Sequence, residues 1–206
     1  MSLTLVIIVI TVLVSMKAWN LPIWFDKYSF KPYRVERQKE YYRFFTSSFL
    51  HANWTHLIFN LFTLFFFGPT VEEYFSIAHG ENGWIYLLVL YFTSMVVSEA
   101  GTFFKYKNES RYSSIGASGA VSAVLFSAIW FNPTARILVM FIPMPGFAFG
   151  AIYLIYTAWA AKNDYSGQIN HDAHFYGSVW GVIFTILACP ESVAFFFDSL
   201  ANFRMF

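Results

Sequence analysis

The sequence predicts an all-α protein that crosses a membrane several times, and two observations lead to this prediction. Of its 206 residues, 57% are hydrophobic, 22% are aromatic and only 12% are charged, which leaves little polar surface for a water-soluble domain. The charged residues gather in short stretches between long apolar runs, as loops alternate with spans in membrane proteins. We therefore expect one polytopic membrane domain over residues 1–206.

Six apolar segments are predicted as transmembrane helices, because a helix needs about 20 residues to cross the hydrocarbon core. Asn53 can cap the second span, and Pro190 ends the sixth. Pro143 and Pro145 would break a helix, so the apolar stretch between Ala135 and Ile142 is interpreted as re-entrant. The predicted spans are residues 3–19, 53–74, 84–104, 115–131, 146–161 and 173–189.

The first span leaves one alternative open, a cleaved signal peptide. The segment has no basic n-region and no clear small-x-small cleavage site, which favours a membrane span. The following segment, residues 20–52, mixes basic, acidic and aromatic side chains. Such a composition is typical of amphipathic pieces, so this first loop is predicted to lie in the membrane interface.

The charge pattern argues against nucleic-acid binding, and the cysteine content excludes an intrachain disulfide. The formal net charge is +1, and the basic residues are neither clustered on a predicted helix face nor mixed into a Gly-rich arm, so no nucleic-acid partner is expected. Cys189 is the single cysteine, which rules out an intrachain disulfide. The predicted surroundings are the lipid bilayer, and no cofactor is predicted.

Polar side chains open the three even-numbered spans. His56 and Asn60 begin the second span, Ser118 the fourth and His174 the sixth. Even-numbered spans all start from one side of the membrane, so these four residues are predicted to share one face. We expect each to lie about a turn or two inside its helix, at similar depth. For any one of them alone, a packing role stays an open alternative.

Small residues on the fourth and sixth spans recur at i, i+4 spacing. The pairs are Gly116 with Ala120 on the fourth span, and Ala173 with Gly177 and Gly181 on the sixth. Small residues at this spacing let helix backbones approach closely in a membrane. Close approach is what a serine and a histidine on separate helices need in order to act together.

The chemistry that these residues could perform is nucleophilic catalysis. A serine hydroxyl becomes a useful nucleophile when a base within about 2.6 to 3.2 Å takes its proton, and His174 is the available base for Ser118. Asp172 cannot face the same way as His174, so it is interpreted as a helix cap. The prediction is a Ser-His dyad, with backbone N–H groups near Ser118 and the side chains of Asn60 and His56 stabilising the oxyanion.

Together these motifs resemble the rhomboid family of intramembrane serine proteases. The sequence contains His-x4-His-x3-Asn, Gly-x-Ser-Gly and Ala-His-x2-Gly, in that order, and a Gly-x3-Glu feature at Gly68 and Glu72. The resemblance covers nearly the whole chain and implies a rhomboid-like six-helix bundle. The matching residues are His51, His56, Asn60, Gly116, Ser118, Gly119, Ala173, His174 and Gly177.

The resemblance implies an activity and a role for each of these residues. Ser118 would be the nucleophile and His174 the general base of an endopeptidase that cleaves transmembrane segments of membrane proteins. His56, Asn60 and the Ser118 amide would form the oxyanion site. Further support would come from Gly116 and from His51 near the mouth of the site, and close helix packing from Gly119, Gly177 and Gly181.

Two positions depart from the family's usual pattern. Tyr42 precedes Arg43 where many members have tryptophan, a change that retains an aromatic ring beside the cation. Ser122 lies one turn after the nucleophile, where many members have an aromatic residue packed on the catalytic histidine. Tyr176 or a phenylalanine from another span is expected to substitute for that ring.

Three other functions remain as alternatives. A rhomboid-like pseudoprotease would be expected to lack Ser118 or His174, and both are present. A transporter would have its binding residues near the bilayer midplane rather than toward one side. A zinc site would leave Ser118 unused; its candidate ligands are His51, His56, His171 and His174.

The orientation in the membrane receives two opposite predictions. Lys and Arg crowd the odd-numbered loops, and the positive-inside rule then puts the site on the cytoplasmic face. The resemblance to bacterial six-span rhomboids implies a bacterial inner membrane and a site that opens to the non-cytoplasmic face. The second orientation is adopted as the expectation.

Overall fold

A computed structural model describes residues 2–139, 142–163 and 169–204, and these residues form a helical bundle with one short β-hairpin. In the hairpin, β1 (Arg136–Val139) pairs antiparallel with β2 (Ile142–Pro145). The α-helices of the described residues are α1 Leu3–Asn20, α2 Ile23–Tyr28, α3 Pro32–Gln38, α4 Arg43–Thr46, α5 Trp54–His79, α6 Gly83–Tyr106, α7 Ser118–Phe131, α8 Gly146–Asn163, α9 His171–Ala188 and α10 Ser192–Ala201.

Helix α7 lies at the centre of the bundle. Apart from Ser118 and Trp130, every residue of this helix is buried, and α5, α6, α8 and α9 all pack against it. A helix that is apolar around its whole circumference belongs in the interior of a bundle. The N-terminus of α7, which carries Ser118, is therefore held from several sides.

The outer helices expose large apolar side chains, which identifies the chain as an integral membrane protein. Phe59 in α5, Ile155 in α8 and Leu187 in α9 are each about 70% exposed. Two stretches, Leu3–Asn20 and Trp54–Tyr106, are long and apolar enough to cross a bilayer. The second contains α5 and α6, which pack against each other. Helices α9 and α10 are together long and apolar enough to form a third such stretch, although a bend of 113° separates them.

The segment between α1 and α5, residues 21–53, is organised around a buried arginine. Arg43 is fully buried, and its Nη1 donates hydrogen bonds to the backbone oxygens of Ser29 and Asp26, at 2.7 and 3.1 Å. Its Nε donates to Glu40 Oε2 at 2.5 Å, and the Tyr42 ring lies 5.4 Å from the guanidinium. The retained aromatic ring beside this cation agrees with the expectation for Tyr42.

Helix α1 is attached to the bundle through its N-terminus. The Glu72 carboxylate accepts hydrogen bonds from Ser2 Oγ at 2.7 Å, the Leu3 N–H at 2.8 Å and Thr4 Oγ1 at 3.0 Å. A carboxylate at a helix N-terminus satisfies free N–H groups and favours the helix dipole. One turn earlier, Gly68 leaves room for Thr4. The Gly-x3-Glu feature thus docks α1 against α5.

The predicted start of the fourth span differs from the structure for an identifiable reason. The fourth span was predicted from residue 115, but α7 begins at Ser118, because Ser114 pairs with Phe30 and Gly116 has a φ of +121°. Ser118 is thus the first residue of its helix, not a turn or two inside it. The stretch interpreted as re-entrant contains β1, which pairs with β2. Pro143 and Pro145 disfavour a helix there, and re-entry into the membrane stays a prediction.

Candidate active site

One cavity collects the polar residues that begin the even-numbered spans. It has a volume of about 800 Å³, and Ser118, His174, His56 and Asn60 all line it. Each of the four lies in the first two turns of α7, α9 or α5. The structure therefore brings to one cavity the four residues that the counting of spans predicted to lie together.

The segment before Ser118 requires a glycine at Gly116. Its φ of +121° lies in a region that side chains with a Cβ rarely adopt. A Cβ built there would also lie 2.6 Å from Cε1 of His56, so the imidazole rests directly on the glycine backbone. Gly116 thus lets the chain turn sharply into α7 and admits His56 to the cavity.

Three contacts from the segment between α1 and α5 hold this turn in place. Phe30 and Ser114 exchange two backbone hydrogen bonds, at 2.9 and 3.0 Å. The Gly116 N–H donates to the Ser47 carbonyl at 3.0 Å. The Ala117 N–H donates to Nε2 of His51 at 3.4 Å, the longest of these bonds. The position of Ser118 is consequently set by residues that precede the second span.

His51 lies beneath this turn rather than at the mouth of the cavity. Its side chain is fully buried, and its Nδ1 is 3.0 Å from Ser15 Oγ of α1. Burial, with a smaller contribution from nearby His56, lowers the pKa of His51 to about 3. A neutral His51 can accept the Ala117 hydrogen bond through Nε2 while Nδ1–H donates to Ser15.

At the start of α5, a cap and a side-chain hydrogen bond order the two residues predicted for the oxyanion site. Asn53 Oδ1 accepts the His56 N–H at 2.9 Å, which confirms Asn53 as the N-cap. Asn60 Nδ2 donates to the His56 carbonyl at 3.0 Å and keeps a second N–H. The N–H groups of the first turn of α7 have no partner within that helix. His56, Asn60 and Ser118 line the same cavity.

The cap of α9 is Asn170, so the prediction of Asp172 as the cap is wrong. Asn170 Oδ1 accepts the Ala173 N–H at 3.1 Å, while its Nδ2 donates to the buried carboxyl of Glu99 at 3.0 Å. Asp172 instead pairs with Lys105 of α6, at 3.1 Å. Sequence reasoning missed Asn170 because both residues suit an N-cap, and only the observed start of the helix distinguishes them.

Helices α7 and α9 are in backbone contact at the positions of small residues. A Cβ built on Gly177 would overlap the Gly119 carbonyl, and one on Gly181 would overlap the Ala123 carbonyl. A Cβ on Gly119 would overlap the Ser98 side chain of α6. Such contacts bring Ser118 and His174 to the same cavity.

Tyr153 of α8, which sequence reasoning did not single out, contacts His174. Its hydroxyl lies 3.1 Å from His174 Nδ1 and 3.2 Å from Ser122 Oγ, and the Tyr153 and His174 rings are parallel within 8°. The expected substitute Tyr176 instead lies against Gly101 of α6. The sequence offers Tyr153 and Tyr156 in one apolar run, and only packing shows which of them faces the site.

The described residues contain no hydrogen bond between Ser118 Oγ and His174. In ligand-free enzymes such bonds are often long and shorten only when substrate binds. The predicted zinc alternative has no support in the same residues, among which no three His, Cys, Asp or Glu side chains lie close enough to share a metal.

Fold and site together define a helical membrane protein with serine and histidine at the N-termini of adjacent helices. The rhomboid-domain family model matches residues 38–191. RHOMBOID-like protein 12, mitochondrial, of Arabidopsis thaliana is 29% identical over 67% of this chain and 44% of its own length. Rhomboid protein 1, mitochondrial, of Saccharomyces cerevisiae is 31% identical over 67% of this chain and 39% of its own. This chain belongs to the rhomboid family, as the motifs predicted.

A plastid relative extends the comparison. Rhomboid-like protein 11, chloroplastic, of Arabidopsis thaliana is 31% identical over 69% of this chain and 51% of its own length. The chain thus spans about half the length, or less, of these three relatives.

Proposed function

We propose that this chain is an intramembrane serine endopeptidase that cleaves transmembrane segments of membrane proteins. One observation carries the proposal: Ser118 and His174, from the N-termini of two helices in backbone contact, line one cavity with His56 and Asn60. Membership of the rhomboid family supports the same activity.

In the proposed reaction, Ser118 Oγ attacks the substrate carbonyl and His174 takes the hydroxyl proton. The tetrahedral oxyanion is stabilised by the free N–H groups of the first turn of α7, the Asn60 amide and His56. His174 then protonates the leaving amine, and water releases the acyl group. The substrate helix must unwind locally, since helical carbonyls are shielded, so segments with small or helix-breaking residues are preferred.

The proposed topology has six crossings, formed by α1, α5, α6, α7, α8 and α9. Helix α7 has 14 residues, so it is about 21 Å long and shorter than the hydrocarbon core. Its enclosure by the other helices makes this length acceptable, since it need not face lipid along its whole length. We place the site on the non-cytoplasmic face of a bacterial inner membrane, an assignment that rests on resemblance alone.

The activity is tested with purified protein in detergent and a labelled transmembrane peptide. Wild type is expected to cleave, while Ser118→Ala and His174→Ala are expected to lose cleavage. Ser76→Ala and His79→Ala are matched controls at the far end of α5, and both should cleave like wild type. Equal cleavage by all five proteins contradicts the dyad. No cleavage by wild type over several peptides favours the pseudoprotease instead.

The orientation is tested with single cysteines. Cys189 is the one native cysteine and is buried, so Cys189→Ser provides the background. Glu81→Cys and Asn108→Cys place exposed thiols at opposite ends of α6. A membrane-impermeant maleimide should label only Asn108→Cys in intact cells; the reverse result places the site in the cytoplasm.

A further inference from the structure

The His174 ring contacts one phenol of α8, Tyr153, which supplies the aromatic ring that Ser122 lacks. Tyr153 OH lies between His174 Nδ1, at 3.1 Å, and Ser122 Oγ, at 3.2 Å. Its own ring is packed between Phe126 and Phe149, each with a centroid 5.6 Å away. The phenol therefore has a fixed position from which to direct the imidazole.

The hydrogen bonds of this group allow two arrangements, because Tyr153 OH has a single proton. In the first, His174 Nδ1–H donates to the Tyr153 oxygen, and Tyr153 donates to Ser122 Oγ. In the second, Ser122 donates to Tyr153, and Tyr153 donates to Nδ1. In the first arrangement the proton of His174 is on Nδ1, so the lone pair on Nε2 is free to accept a proton. In the second arrangement the proton is on Nε2, and the lone pair on Nδ1 already accepts a hydrogen bond from Tyr153.

We infer that Tyr153 and Ser122 are positioning residues that hold His174 as the Nδ1–H tautomer, with Nε2 directed at Ser118. Ser122 serves as the acceptor for the Tyr153 proton, so Tyr153 presents its oxygen, not its proton, to Nδ1. Ser118, Ser122, Tyr153 and His174 share the same cavity. This inference rests on the proposed function, because it assigns His174 the role of base.

The test compares kcat and KM for cleavage of the labelled peptide. Tyr153→Phe keeps the packed ring and removes the hydroxyl, and it should lower kcat about tenfold with KM unchanged, as expected for one hydrogen bond. The matched control is Tyr156→Phe on the same helix, whose ring packs on Trp159, and it should keep the wild-type kcat. All variants should unfold at nearly the wild-type temperature.

The second arm tests whether the two hydroxyls act as a unit. Ser122→Ala should lower kcat, and Ser122→Thr, which keeps a hydroxyl, should restore most of it. Tyr153→Phe combined with Ser122→Ala should be no slower than Tyr153→Phe alone, since each change breaks the same chain of hydrogen bonds. Two purely structural contacts would instead give effects that multiply, and that result overturns the inference.

The possible failures are distinguishable. If Ser118→Ala cleaves like wild type, or if wild type cleaves nothing, the proposed function fails and the inference fails with it. If wild type cleaves, Ser118→Ala does not, and Tyr153→Phe keeps the wild-type kcat, the inference alone is overturned.

Discussion

Gly177 of α9 faces the carbonyl oxygen of Gly119 in α7 so closely that a Cβ on Gly177 would overlap it. This contact lies one residue from Ser118 and three from His174, so it sets the separation of the helices that carry both. A shift of either helix backbone at this contact would move Ser118 or His174.

Gly177→Ala should therefore destabilise the protein and reduce cleavage. Forcing a methyl group into a close-packed site costs about 1 to 3 kcal/mol in the free energy of unfolding. The matched control is Gly150→Ala in α8, where the nearest atom to a built Cβ is Phe126 Cε1 at 3.5 Å. Detergent unfolding followed by circular dichroism measures both variants, and equal stabilities would contradict the contact.

Glu72→Gln should loosen α1. The substitution removes the charge and one acceptor oxygen from a carboxylate that receives hydrogen bonds from Ser2, Leu3 and Thr4. Hydrogen bonds to charged groups contribute more than neutral ones, so a loss of about 1 to 3 kcal/mol in the free energy of unfolding is expected. Glu73→Gln, exposed and next in sequence, should change it little. Limited proteolysis near residue 20 provides an independent readout.

Protonation of His51 should destabilise the fold in acid. The pKa of His51 is about 3 when folded, against 6.5 for the free side chain, because burial disfavours the charged ring. The unfolded chain therefore binds a proton that the folded chain does not. This contribution is absent above about pH 6.5 and lowers the free energy of unfolding by about 1.4 kcal/mol per unit as pH falls toward 3.

The pH dependence is measured by unfolding wild type and variants between pH 7 and pH 4. His51→Asn should show a shallower slope, because one titrating group is removed. Ser15→Ala, which removes the partner of Nδ1 but leaves the ring in place, should keep the wild-type slope. An unchanged slope in His51→Asn would mean that other groups account for the acid sensitivity.

Gly116→Ala should reduce cleavage both by straining the backbone and by displacing the His56 ring. The position combines a φ of +121° with the His56 ring, whose Cε1 would lie 2.6 Å from the new Cβ. Gly80→Ala is the matched control, since Gly80 has a φ of +61° but nothing within 4 Å of a built Cβ. Both changes should cost about 1 to 3 kcal/mol of strain. Only Gly116→Ala should lower kcat, and a similar loss in Gly80→Ala would argue against a role for His56.

The clustering of the site could be predicted from sequence because it depends on topology. Apolar run lengths locate the helices, and the direction of each helix follows from its order in the chain. His56, Ser118 and His174 then fall on one face without any knowledge of side-chain packing. Asn53 was also recognised correctly, since an N-cap is a local feature.

The start of α7 and the partner of His174 could not be predicted, because both depend on contacts distant in sequence. The turn before Ser118 follows from the pairing of Ser114 with Phe30, 84 residues earlier. Whether Tyr153 points toward His174 depends on the orientation of α8 about its own axis, which its packing against α7 and α9 determines. When the lipid-facing and protein-facing sides of a helix are both apolar, the spacing of apolar residues does not predict which side faces the protein.

The hydrogen bonds between Phe30 and Ser114 indicate where the shortest active fragment of the chain must begin. The matched family region starts at residue 38, so Phe30 lies outside it. A truncated protein that begins at that boundary would retain Ser118, His174 and all the family motifs. It would nevertheless lose the strand-like pairing that orders the entrance to α7, together with Ser29, which binds the buried Arg43. The smallest active fragment should therefore begin before Ser29.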